Sequence, residues 1–125
     1  LVPESFPALI RGQKIAKKAA AAGLFSTEDE DVFKDLLTSV VNLQLGTAGE
    51  DPEKKFSSDE ELSEKLGEVL FALCRFCAKY KVSGEMALLK KLEEFWLPQA
   101  GGKTLLTGED TLFEWLQSHF RSYEE

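Results

Sequence analysis

The chain has 125 residues, of which 43% are hydrophobic and 30% are charged. These values are ordinary for a single globular domain and exclude wholesale disorder. The 22 acidic and 15 basic residues give a net charge of −7, which argues against nucleic-acid binding because that binding draws on phosphate neutralisation. No apolar run approaches the roughly 20 residues of a membrane span, and no signal peptide is evident. We therefore expect a cytoplasmic protein without a membrane partner.

Helical periodicity dominates the sequence and predicts an all-α fold, a bundle of four helices plus a C-terminal fifth helix. The first helix is predicted from about Ser5 to Ala22, with Pro7 in its opening turn and Gly23 as its stop. Three basic residues at helical spacing lie opposite its apolar side and are candidates for binding phosphate groups: Arg11, Lys14 and Lys18. The same stripe is equally typical of a solvated helix face.

A second helix is predicted to begin after a capping box formed by Thr27 and Glu30 and to end at Gly46. Its apolar residues follow at helical spacing from Val32 onwards. The following stretch to Phe56 is rich in glycine and charge and predicts a solvated loop.

The third helix has the strongest signal, because Ser58 and Glu61 form a second capping box ahead of a long apolar stripe. We expect this helix to pack against neighbours on two sides and to span about 30 Å. The only two cysteines, Cys74 and Cys77, lie on it. A zinc site needs about four ligands, so we interpret these cysteines as packing residues rather than as a redox or metal site.

A fourth helix is predicted to begin near Ser83, and Pro98 together with Gly101-Gly102 is predicted to break the chain after it. A fifth is predicted after Thr107, with several aromatic residues that suit either core packing or a partner surface. The predicted organisation is a helical domain over residues 1–97, a linker over residues 98–102 and a C-terminal helical extension over residues 103–125.

Carboxylates are the remaining candidates for chemistry, because familiar nucleophile, phosphate-loop and zinc-protease motifs are missing from the sequence. Glu60, Glu64 and Glu68 share one face of the third helix and could form half of a magnesium site. They could equally be a solvated face near a helix N-terminus. A bundle metal site normally takes carboxylates from a facing helix as well.

The opening of the chain and its third helix carry a family resemblance. The opening runs from Val2 through Pro7-Ala8-Leu9, a basic residue and Lys18-Ala19-Ala20 to Gly23-Leu24-Phe25. The third helix contains Leu66-Gly67-Glu68-Val69-Leu70-Phe71-Ala72-Leu73. Residues Glu85, Ala87-Leu88 and Phe95 fit a closing Glu-Glu-Ala-Leu segment. Over Val2 to Phe95, roughly three-quarters of its length, the chain resembles the C-terminal domain of MazG nucleoside triphosphate pyrophosphohydrolases.

The resemblance implies an all-α, MazG-like helical bundle that works as a dimer. Active members of the family use magnesium to hydrolyse nucleoside triphosphates to the monophosphate and pyrophosphate. Their metal ligands are Glu-Glu-x-x-Glu on one helix and Glu-x-x-Asp on the next. Only one of these positions keeps an acid in this chain, where they fall on Thr38, Ser39, Asn42, Lys65 and Glu68. Two substrate-contacting positions fall on Leu92 and Glu94.

We therefore predict a MazG-like domain without catalytic residues and without a cofactor, in which Glu68 is a vestigial metal ligand and Glu64 a weaker candidate. Its predicted role is homodimerisation, support of a catalytic MazG domain, or residual binding of a nucleoside triphosphate. One alternative is an active magnesium-dependent pyrophosphohydrolase with a displaced site formed by Asp35, Glu61 and Glu64. The other is a helical protein-interaction module that uses residues 103–125.

Overall fold

The computed structural model describes the backbone of residues 6–100 and the side chains of residues 6–96. Within this range the chain is helical and contains no strand, which confirms the predicted all-α class. The helices are α1 (Ala8–Ala21), α2 (Asp29–Thr47), α3 (Asp59–Tyr80) and α4 (Gly84–Ala100), with a short 3-10 turn at Pro52–Lys54. The predicted fifth helix and the extension over residues 103–125 lie outside the described residues.

Gly23 ends α1, as the sequence predicts. Its φ of 75° is readily adopted only by glycine. The turn lets the N–H groups of Gly23 and Leu24 donate to the carbonyl oxygens of Ala20 and Ala19, both at 3.0 Å. Two carbonyl groups at the helix end are thereby satisfied in a Schellman motif.

The predicted capping box at Thr27 is wrong. Glu28 is the N-cap of α2, and no side chain caps the helix there. Ser26, one residue earlier than expected, organises the turn: its hydroxyl donates to Asp31 Oδ2 at 2.6 Å and accepts the N–H of Glu28 at 3.2 Å. The first turn of α2 instead gains from its acidic residues, which complement the positive end of the helix dipole.

Gly46 does not end α2, which continues to Thr47. The glycine is buried because the ring of Phe56 packs directly on it, where any Cβ would overlap the ring. The Phe56 N–H also donates to the Gly46 carbonyl at 2.9 Å. The connection between α2 and α3 thus folds back onto the end of α2, and the glycine provides close approach rather than a stop.

The Ser58 half of the predicted capping box of α3 is confirmed, whereas Glu61 takes a different partner. The Ser58 hydroxyl accepts the N–H of Glu61 at 3.2 Å. The Glu61 carboxylate in turn accepts the N–H of Ser57 at 2.8 Å and its hydroxyl at 2.9 Å, one residue before the expected partner. These hydrogen bonds, the backbone one foremost, hold the pKa of Glu61 below its ordinary value.

Helix α3 is the central element, since it packs against both α1 and α2. Cys74 is buried and Cys77 half-buried, neither forms a disulfide, and burial raises the pKa of both thiols. A Cβ on Gly12 of α1 would lie only 2.7 Å from Cys74 Sγ. The predicted packing role of the cysteines is therefore confirmed, and the glycine lets α1 approach α3 closely.

The chain divides into two compact units after Glu85. Helix α4 continues through Pro98 to Ala100, so the predicted break at the proline is wrong. A proline removes one intrahelical hydrogen bond, and this helix continues past that loss for two further residues. The predicted division at residue 97 stays a prediction. Within residues 6–100, no helix is both long enough and apolar enough to cross a bilayer.

Candidate functional site

One face of α2 and one face of α3 line a groove of about 340 Å³. Each helix contributes residues at spacing i, i+3, i+4 and i+7, which places all four side chains on the same side. The lining residues of this α2–α3 groove are Asp35, Thr38, Ser39 and Asn42 from α2, and Glu68, Phe71, Ala72 and Arg75 from α3. The family resemblance assigns five positions to metal ligands. Four of them, all except Lys65, therefore line one groove.

A salt bridge closes one end of the α2–α3 groove. Arg75 Nη2 donates to Asp35 Oδ2 at 2.9 Å. The Arg75 side chain is only 15% exposed, and its guanidinium carbon lies 4.0 Å from the centroid of the Phe25 ring, in a cation–π contact. Phe25 in turn meets Phe71 edge to face, with ring centroids 6.4 Å apart. Asp35 is thus held as the partner of an anchored cation.

A second ion pair lies at the other end. Lys65 Nζ is 3.3 Å from Glu68 Oε2, one turn along α3, and half of the Glu68 side chain is exposed. An exposed pair of this kind contributes at most about 1 kcal/mol to stability. It nevertheless places a positive charge beside the single acid that remains at the family's metal positions.

The donors between these two ends are neutral. Thr38 and Asn42 are exposed, and the Ser39 hydroxyl donates to the Leu36 carbonyl at 2.8 Å. Magnesium takes hard oxygen ligands, chiefly carboxylates, in an octahedral arrangement. Two carboxylates that are each paired with a cation, and three uncharged side chains, do not fit that ion.

The alternative metal site predicted from Asp35, Glu61 and Glu64 does not form a cluster of acids. Each of the three carboxylates either pairs with another residue or is exposed. Asp35 pairs with Arg75, Glu61 caps α3, and Glu64 is exposed on the surface of that helix. Among the side chains of residues 6–96, no group of three His, Cys, Asp or Glu lies close enough together to hold a metal.

The three predicted phosphate-binding residues of α1 differ in their exposure to solvent. Arg11 is half-buried, whereas Lys14 and Lys18 are exposed. Of the three, Lys14 lines a cavity, and its companions there are Lys17 and Lys81. Sequence reasoning missed both companions, since Lys81 follows α3 and its approach to α1 depends on tertiary structure.

The C-terminal two-thirds of α2, Leu36–Thr47, contains no charged residue, although much of it is exposed. Leu37 is 61% exposed and Val41 is 47% exposed. Together with Phe33 and Val40, also exposed, they follow helical spacing and form one apolar stripe, which we call the α2 stripe. A second exposed apolar stripe on α3 consists of Leu66, Leu70 and Leu73.

Comparison of the chain with protein-family models, with curated proteins and with solved structures finds no match. The resemblance to MazG domains therefore stays a prediction.

Proposed function

We propose that the chain is a MazG-like helical domain without a working metal site, and that it acts as a homodimerisation domain. The observation that carries the proposal is the α2 stripe, in which the exposed residues Leu37, Val40 and Val41 lie in the uncharged segment Leu36–Thr47. Proteins that stay monomeric rarely expose large contiguous apolar patches. Interface cores are depleted in charge, as this segment is.

The charge distribution indicates where a second copy of the same chain could dock with the least repulsion. Two molecules that each carry a net charge of −7 repel one another. The repulsion is smallest where the surface carries no charge, and Leu36–Thr47 provides such a surface. We propose that two copies of α2 meet across a two-fold axis, the commonest arrangement of soluble homo-oligomers.

The α2–α3 groove supports the part of the proposal that denies the domain a working metal site. The metal positions of active MazG domains fall on neutral residues and on Lys65, beside the remaining acid Glu68. A dimer without turnover is the role we assign to this domain. Magnesium-dependent release of pyrophosphate from a nucleoside triphosphate, abolished by Glu68→Ala, would show that role to be wrong.

Sedimentation equilibrium tests the dimer directly. We expect a mass of twice the 14.0 kDa of one chain. Leu37→Glu places a charge in the α2 stripe and should give a monomer, since two like charges would face each other across the axis. Leu24→Glu is the matched control, because Leu24 is 74% exposed and lies outside α2; it should leave the dimer intact.

A monomeric wild-type chain would contradict the proposal, because the stripe would then be covered within one molecule or left open. An unchanged dimer in Leu37→Glu would place the interface on another surface, and the role assigned to α2 would be abandoned. Circular dichroism of both variants shows that a change in mass is not a consequence of unfolding.

A further inference from the structure

We propose that a lysine-lined pocket between α1 and the turn after α3 binds a small molecule that carries several phosphate groups. The cavity has a volume of about 560 Å³, within the range of small-molecule sites. Three lysines, two residues with neutral polar side chains and two apolar residues line it. They are Lys14, Lys17 and Lys81, then Gln13 and Ser83, and finally Ile10 and Ala78. We call it the lysine pocket.

Gln13 builds this pocket by fixing the turn that follows α3. Its Nε2 donates to the Val82 carbonyl at 2.9 Å, and its Oε1 accepts the N–H of Gly84 at 3.0 Å. Both ends of one amide are thus used to hold the turn against α1. Lys81 and Ser83 are thereby kept opposite the lysines of α1, so the pocket is preorganised rather than formed on binding.

The backbone of Lys81 is the second sign of a specialised position. Its φ of 57° and ψ of 40° are left-handed, and it is the only non-glycine residue with positive φ among those described. Glycine or asparagine is the usual residue at such a helix end. A lysine there is strained, and strain of this kind concentrates at functional sites.

Among the described residues, no acid lines the lysine pocket. Among the side chains of residues 6–96, ion pairs form at other cations, namely Lys65, Arg75, Lys79 and Lys91. Lys14 lies 5.7 Å from the centroid of the Phe6 ring, and no ion pair involves Lys14, Lys17 or Lys81 in this range. In a chain of net charge −7, three unpaired ammonium groups around one cavity form a site for an anion.

Size and charge select the class of anion. Three lysines can donate to several phosphate oxygens at once, and Ile10 and Ala78 add an apolar wall. A polymeric phosphate such as nucleic acid, or an anionic membrane, would also meet the acidic remainder of the surface and be repelled. A compact di- or triphosphate avoids that repulsion. The inference does not depend on the proposed dimerisation, because none of the pocket residues belongs to α2.

Isothermal titration calorimetry with sodium tripolyphosphate and, separately, with ATP in the absence of divalent metal tests the proposal. We expect one site per chain with a dissociation constant of about 0.1 mM at low salt. Affinity should fall as ionic strength rises from about 50 to about 200 mM. Equal affinity for the two ligands means that the phosphate chain alone is recognised, whereas tighter ATP binding assigns the apolar wall to the nucleoside.

Lys81→Gly separates binding from folding. Glycine relieves the left-handed strain, so thermal unfolding should occur at a higher temperature, while the affinity for tripolyphosphate should fall about tenfold. Lys54→Gln, in the 3-10 turn, removes one positive charge elsewhere and is the matched control; it should keep its affinity within about twofold. Absence of saturable binding to the wild-type chain, or an equal loss in both variants, would overturn the proposal.

Discussion

Arg75 and Asp35 join α3 to α2 through a hydrogen bond of 2.9 Å between Arg75 Nη2 and Asp35 Oδ2. The two residues lie 40 positions apart in sequence, and the contact of Tyr80 Oη with Asp29 Oδ1 at 2.6 Å lies further along the same pair of helices. Residue numbers fall along α2 as they rise along α3, so the helices are antiparallel. The α2–α3 groove therefore extends from the ion pair between Arg75 and Asp35 to the ion pair between Lys65 and Glu68.

A double-mutant cycle measures this ion pair. The coupling free energy between Arg75→Ala and Asp35→Ala should be about 0.5–1 kcal/mol, because Asp35 is half exposed. Arg75→Lys keeps the charge but loses the planar contact with Phe25, and should cost about 1 kcal/mol. Urea unfolding of the single and double variants gives these values. A coupling free energy of zero would mean that this ion pair does not contribute to the packing of α2 on α3.

Gly12→Ala tests the packing of α1 on α3, and Gly67→Ala is the comparison at an open position. Gly67 is exposed in the middle of α3 with nothing near its missing Cβ, so Gly67→Ala should stabilise the protein by about 0.5–1 kcal/mol. Gly12→Ala should instead destabilise it by about 1–2 kcal/mol, because the new methyl group would meet Cys74 Sγ. Thermal unfolding compares the two.

The control for Gly12→Ala is the same change in a Cys74→Ala background. Removal of the sulfur opens space, and the added methyl group should then be neutral or stabilising. If Gly12→Ala were equally harmful in both backgrounds, the close contact between these two residues would not be its cause.

The capping carboxylate of α3 should make stability depend on acid pH. Hydrogen bonds from Ser57 lower the pKa of Glu61 in the folded state, so the ionised group stabilises folding above its ordinary pKa of 4.5. This contribution is lost as the pH falls through the lowered folded-state pKa. The free energy of unfolding of Glu61→Gln should therefore fall less than that of the wild type over this acid range. Glu64→Gln, one turn further along α3, is the matched control, because it removes an exposed carboxylate at a position other than the cap.

The helices were largely predictable from sequence, because their signals are local. Ser58 and Gly23 satisfy backbone groups within a few residues, and their hydrogen bonds follow from residue type and spacing. The errors at Thr27 and Gly46 arose where a neighbour took over: Ser26 organises the first turn of α2, and the ring of Phe56 covers the glycine. Neither the hydrogen bond between Ser26 and Asp31 nor the packing of Phe56 on Gly46 follows from helical periodicity.

The candidate sites divide in the same way. Thr38, Ser39, Asn42 and Glu68 share a groove because each set lies on one helix face and the two faces meet. The lysine pocket could not be predicted, since Gln13 contacts Val82 and Gly84 across 69 and 71 positions of sequence. The left-handed turn at Lys81 also lacks the glycine that would have signalled it.

Restoring the family's acids tests the central claim, that the α2–α3 groove is a MazG-like metal site that has lost its ligands. The fourfold variant Thr38→Glu, Ser39→Glu, Asn42→Glu and Lys65→Glu places four new carboxylates around Glu68. The same four positions changed to Gln provide a control of equal size without the charge. Saturation at 100 times the dissociation constant should stabilise a metal-binding variant by about 2.7 kcal/mol.

The decisive measurement is a magnesium titration of the wild type, the fourfold Glu variant and the fourfold Gln control, followed by calorimetry and by thermal unfolding. We predict saturable binding and a raised Tm in the Glu variant alone, because only that variant offers magnesium a set of carboxylates. Equal magnesium binding by the wild type, or no binding by a folded Glu variant, would contradict the account.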